Sequence, residues 1–168
     1  MALPTQPLHD EHQQLFPHIE NLREVADSIG QAPTAEIQRE LEAAYDFLAH
    51  HLLVHAQAED RVLYPVVAQA IGAPQATDTM RRDHVEIGKL IEELGSLRRS
   101  SGAQELSEGH ARALRRVLYG LYTLVKVHFL KEEDVYLPIL DEKMSAAEVN
   151  AMYARMETAA ETVRRELT

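Results

Sequence analysis

His55-Ala56-Gln57-Ala58-Glu59 and His128-Phe129-Leu130-Lys131-Glu132 stand 73 residues apart, and Pro65 and Pro138 follow them at the same offset. His12 and His84 stand 72 apart, and their surroundings correspond too, Ile19-Glu20-Asn21-Leu22 against Ile91-Glu92-Glu93-Leu94. The chain therefore reads as two copies of one helical hairpin that bury a shared core against each other. Each copy puts one His on its first helix and His-x-x-x-Glu on its second.

Glycine and proline, seven of each, fall mostly between long stretches whose apolar residues recur every three or four positions. Those stretches predict helices over about 8–29, 34–63, 75–99 and 104–135. Gly30-Gln31-Ala32-Pro33, Gly72-Ala73-Pro74 and Ser100-Ser101-Gly102 are the loops between them. Pro17 should kink the first helix and Pro65 should break or kink the second, with a short piece to Ile71. Pro138 should end the fourth. Ser145-Ala146-Ala147-Glu148 is a capping box opening a fifth helix to about Leu167. The expected fold is all-α: an antiparallel up-down-up-down four-helix bundle with an additional C-terminal helix. Residues 1–142 form the bundle, and 143–168 form a helix packed on it or at a dimer interface.

The repeated polar residues fall on the stripes that should face inward. The second helix reads Leu41, Ala44, Leu48, Leu52, His55, Glu59, Val62, and the fourth Leu114, Leu118, Leu121, Val125, His128, Glu132, Val135. His12 and His84 continue the stripes of the first and third. At ~1.5 Å per residue the six groups reach similar heights along the bundle. Six buried polar groups, two of them carboxylates, are costly unless paired or metal-bound. Four imidazoles and two carboxylates suit two iron ions, with manganese less favoured. If both carboxylates bridge and an oxo or hydroxo group bridges as well, roughly two coordination positions stay open for a small molecule. The candidate ligands are His12, His55, Glu59, His84, His128 and Glu132. His51, one turn before His55, is a further candidate ligand or supporting contact, although its repeat partner is Leu124.

Other residues get plainer readings. His9, His18, His50 and His110 are taken as surface or loop residues. Asp60, Glu133 and Asp134 are taken as solvated. Tyr64, Tyr119, Tyr122 and Tyr136 are taken as packing groups, and Met144, Met152 and Met156 as the apolar face of the last helix.

Composition narrows the function. The chain has no Cys, which removes disulfides, thiol nucleophiles and iron–sulfur clusters. With 17 Lys+Arg against 27 Asp+Glu its net charge is −10, which disfavours nucleic acid and anionic membranes as partners. There is no long apolar run, and Met1-Ala2-Leu3-Pro4 does not open a secretory signal. The expectation is a cytoplasmic protein, monomeric or a homodimer.

Asp10-Glu11-His12, His55-x-x-x-Glu59, Asp83-His84 and His128-x-x-x-Glu132, with Tyr64-Pro65 and Leu137-Pro138, resemble the hemerythrin-like (HHE cation-binding) family over residues 8–140. The resemblance implies a non-haem di-iron centre with His12, His55, His84 and His128 as terminal ligands and Glu59 and Glu132 as bridges. The chain departs from the oxygen-carrying members: the positions four before and four after His84 are Met80 and Gly88, not a second His. Its pattern looks like a bacterial subgroup associated with peroxide or nitric oxide handling. The absence of Cys argues against the iron–sulfur repair role of other members.

Three functions follow as expectations. The first is an enzyme that disproportionates or reduces peroxide in oxidative or nitrosative stress defence, with the metals carrying the chemistry. The alternative is an O₂ or NO sensor or store without turnover. Iron buffering is the weakest, since two ions per chain store little.

Overall fold

Proline sits inside three of the five helices, and none of the three ends there. The computed structural model describes residues 3–100 and 106–167. These form α1 (Gln6–Ser28), α2 (34–71), α3 (Asp78–Ser100), α4 (108–143) and α5 (Ala146–Glu166), with no strand among the described residues. No described helix is long and apolar enough to cross a membrane. The loop expected at Ser101-Gly102 and the helix start expected at Gln104 lie outside the described residues.

The helix ends follow from local chemistry. Pro7 occupies the first turn of α1, where its missing N–H costs nothing. The Thr5 backbone N–H and hydroxyl donate to the two carboxylate oxygens of Asp141 at 2.8 and 2.9 Å, tying the start of α1 to the end of α4. Gly72, at φ +76°, closes α2 in the left-handed conformation. The expected capping box is present at Ser145 and Glu148.

Pro138 does not end α4, which corrects the sequence expectation. The helix runs on to Lys143, as α2 runs on past Pro65 to Ile71. Immediately before each proline lies a widened π turn, Glu59–Leu63 in α2 and Glu132–Tyr136 in α4. A proline lacks the N–H of the next hydrogen bond and crowds the carbonyl one turn back; the wider turn relieves that crowding without stopping the helix. It also adds a residue to the turn, which shifts the core stripe. Val135, expected inside, is 48% exposed, whereas Leu137 is fully buried. In α2 the stripe passes from Glu59 to Leu63 and Tyr64 instead of Val62. A third π turn, Leu48–Leu52, has no counterpart in α4.

α1 and α3 each pack against both α2 and α4. α5 lies outside this group, against the 53–63 part of α2 and more lightly against α1, with Val149, Met152, Met156 and Val163 turned inward. The apolar interior is split in two. One core gathers Ile19, Leu52, Ile87, Leu118 and Val125; the other gathers Leu8, Leu63, Met80, Leu137 and Met152. On every helix of the bundle the split falls at the repeated polar residues. His12 follows Leu8 and precedes Ile19, and His84 follows Met80 and precedes Ile87. The polar groups therefore form a layer inside the protein, closed at top and bottom by close-packed side chains.

Candidate metal centre

The layer holds all six predicted residues. His12, Glu59, His128 and Glu132 are at most 1% exposed, His55 5% and His84 9%. Their ligand atoms form two groups that share Glu59: His12, His55, Glu59 and Glu132, and Glu59, His84 and His128, with each group's atoms within 4.8 Å of one another.

Each carboxylate faces both sides. Glu59 Oε1 lies 2.8 Å from His55 Nε2, and its Oε2 lies 3.4 Å from His84 Nε2. Glu132 Oε2 lies 3.4 Å from His12 Nε2, and its Oε1 lies 3.5 Å from His128 Nε2. Many of these inward atoms have no hydrogen-bond partner: Nε2 of His12 and His55, both oxygens of Glu59, and Oε2 of Glu132. Buried polar atoms left so are costly. Their convergence and their chemistry, imidazole nitrogen with carboxylate oxygen, fit a first-row transition ion.

The outer edges of the rings are held with equal regularity. Nδ1 of His55 donates to Glu11 (3.1 Å) and Nδ1 of His128 to Asp83 (3.0 Å), each within its own hairpin. Nδ1 of His84 donates to Asp60 (3.0 Å) and Nδ1 of His12 to Glu133 (2.5 Å), each across to the other hairpin. Every Nδ1 is thus occupied by a carboxylate, which fixes the tautomer and aims Nε2 inward. This corrects the reading of Asp60 and Glu133 as solvated; Asp134 is indeed exposed. The sequence signal was there in the doublets Glu11-His12 and Asp83-His84, and Glu59-Asp60 and Glu132-Glu133, which repeat with the hairpin.

A further residue outside the candidate set is Tyr64, fully buried. Its hydroxyl donates to Glu132 Oε1 at 2.6 Å and lies 3.0 Å from His128 Nε2 and 3.4 Å from His84 Nε2. Burial, reinforced by Glu59 and Glu132, pushes its pKa far up, so the phenol keeps its proton. The repeat places Leu137 at the equivalent position, so the two halves of the layer differ here. On the other half, Phe129 stacks on His12 at 4.5 Å between ring centroids.

The remaining histidines lie elsewhere. His51 is exposed, stacks beside Phe47 and joins neither ligand group. His18 stacks on the same Phe47, and His50 pairs with Asp46. His110 bonds the Leu97 carbonyl. His9, expected at the surface, is partly buried and bonds Glu133 alongside His12. Tyr136 donates to the Ala76 carbonyl, away from the layer.

Charge completes the picture. Burial works against a charged ring at His12, yet its bond to Glu133 and the nearby carboxylates of Glu59 and Glu132 prevail and push its pKa up to about 9. At His84 burial is likewise outweighed by Asp60 and Glu59, again up to about 9. His55 is raised well above its ordinary value against burial, by Glu59 and Glu11. Glu59, despite burial, is held well below the usual carboxylate range by His55 and its neighbours. The layer is built to hold positive charge, and protons supply it where metal does not.

A search of curated proteins and a search of solved structures each found no match. The family comparison did: the model of the hemerythrin HHE cation binding domain matches residues 3–140, a span that contains the whole polar layer, and the chain belongs to that family.

Proposed function

We propose that the protein binds two iron ions through His12, His55, Glu59, His84, His128 and Glu132, and uses them to process small oxidants, peroxide foremost and O₂ or NO as further ligands. The observation that carries this reading is that Glu59 and Glu132 each turn one oxygen toward either side of the layer. A carboxylate so placed would be able to serve two ions at once, were both bound. Glu11, Asp60, Asp83 and Glu133 stand behind the rings, so six carboxylates surround four imidazoles. Neutral rings leave a large negative charge that bound cations offset.

Iron held here supplies Lewis acidity and electrons to a bound oxidant. The chain's own groups do the rest. The two apolar cores exclude bulk water. The four carboxylates behind the rings keep Nε2 unprotonated when metal is bound. Tyr64 keeps the proton on its hydroxyl within the layer, where it can donate a hydrogen bond to an oxygen or nitrogen of an arriving ligand.

In this reading residues 1–142 are the di-iron unit, an up-down-up-down antiparallel bundle, and 143–168 a helix added to it. The testing experiment is reconstitution with ferrous iron under argon, followed by peroxide addition with O₂ release recorded. Evolution of O₂ supports peroxide turnover. Bound iron with a stable O₂ or NO adduct and no turnover moves the reading to a binding module.

A further inference from the structure

The polar layer is closed above and below, so a small ligand must reach it from the side. His55 borders an opening on one side of the layer. A cavity of about 410 Å³ lies between α1, α2 and α5, with His55 and Ala58 on its inner wall and Met156 and Ala160 of α5 on its outer one. Its volume is ample for a molecule of two to four atoms. Its lining includes Glu11, bonded to His55, and the exposed Glu157 and Glu161 of α5 against Arg164, so its solvent side is acidic, on a chain whose net charge is −10. An acidic mouth between low-dielectric walls repels anions and leaves neutral molecules unaffected.

We propose that this cavity is the access route to the metal centre, that α5 is its outer wall, and that its acidic mouth selects uncharged small ligands over anions. The C-terminal helix thereby acquires a role in ligand choice. The proposal rests on the reading of the polar layer as a metal centre.

Ala160→Trp places an indole in the cavity. Its emission in the metal-free protein reports whether it is enclosed, independently of any metal. Stopped-flow absorbance of iron-loaded protein then follows two probes, nitric oxide as the neutral one and azide as the anion. With the indole enclosed, both associate about tenfold or more slowly, while adduct spectra and equilibrium affinities stay those of the unsubstituted protein, because a blocked route slows arrival and departure alike. Glu157→Gln with Glu161→Gln, two exposed changes that leave packing intact, speeds azide about threefold, flattens its salt dependence and leaves nitric oxide unchanged. An enclosed indole with unaltered rates for both probes overturns the route. A solvent-exposed indole overturns the cavity itself. An azide rate indifferent to the two Gln changes overturns the charge selection. If the unsubstituted protein takes up no iron while the indole is enclosed, the proposed function fails and the cavity stands without a role as a route.

Discussion

Asp60 and His84 face each other across the two hairpins, the carboxylate oxygen 3.0 Å from Nδ1. The contact joins the second helix of one repeat to the first helix of the other, and Glu133 and His12 repeat it on the opposite side. Asp60→Asn and Glu133→Gln keep a polar side chain but lose the charge that aims Nε2 inward. Each should weaken iron binding by about 10–100-fold with the helical fold retained. Competition with a chelator, alongside circular dichroism, measures both.

Tyr64→Phe leaves Glu132 Oε1 without the hydroxyl that donates to it at 2.6 Å. In the metal-free protein the change should cost about 1–3 kcal/mol, the penalty of an unsatisfied buried acceptor. Loaded with iron, the variant should keep its metal but turn over or bind oxidant about tenfold more slowly, since the proton at that hydroxyl is gone. Denaturant unfolding of the metal-free protein reads the first effect, and stopped-flow absorbance of the iron-loaded protein reads the second.

The widened turn at Glu132–Tyr136 makes a contrast between neighbours. Val135→Ser, at a position 48% exposed, should change stability by less than about 0.5 kcal/mol. Leu137→Ala, at a fully buried position, should cost about 2–5 kcal/mol. A regular α-helical stripe through Val135 would give the opposite order, so urea unfolding of the pair tests the phase of α4.

Metal-free protein should respond to pH with a definite sign. His12 and His84 are raised from 6.5 to about 9 in the fold, against burial, by their carboxylate partners. Their contribution to stability is complete below pH 6.5. It is lost as pH rises toward 9, because the unfolded chain sheds protons that the folded one keeps. Glu59 is shifted the other way, and its contribution is lost as pH falls below 4.5. Metal-free protein should therefore be most stable between pH 4.5 and 6.5. Iron loading should reverse the trend on the alkaline side, since ions and protons compete for the same Nε2 atoms. Thermal unfolding at pH 6 and pH 9, with and without iron, shows both signs.

Much of this was legible in the sequence because the repeat gave the same information twice. One His-x-x-x-Glu is an ordinary solvated pair; two at equal places, each with a matching His on the preceding helix, mark a shared interior. The ends of α1 and α2 and the start of α5 followed from glycine and the capping box. The course of α4 past Pro138 was not legible, because whether a proline stops a helix depends on whether the turn before it can widen. That widening also moved Val135 out and Leu137 in, a shift no fixed period contains. Asp60 and Glu133 were misread because an acidic residue beside a buried one is normally turned to water. Here the neighbouring hairpin supplies an imidazole edge at that spot. Tyr64 was missed for the opposite reason: its repeat partner is Leu137, so repetition, which found the other six, pointed away from it.

The most direct test is metal content. The protein, reconstituted with ferrous iron, desalted and assayed by elemental analysis, should hold about two irons per chain, the count expected of paired His and bridging carboxylates in a bundle core. Glu59→Ala with Glu132→Ala should hold almost none while remaining helical. No retained iron in the unsubstituted protein, or an unchanged two in the doubly substituted one, would contradict the account.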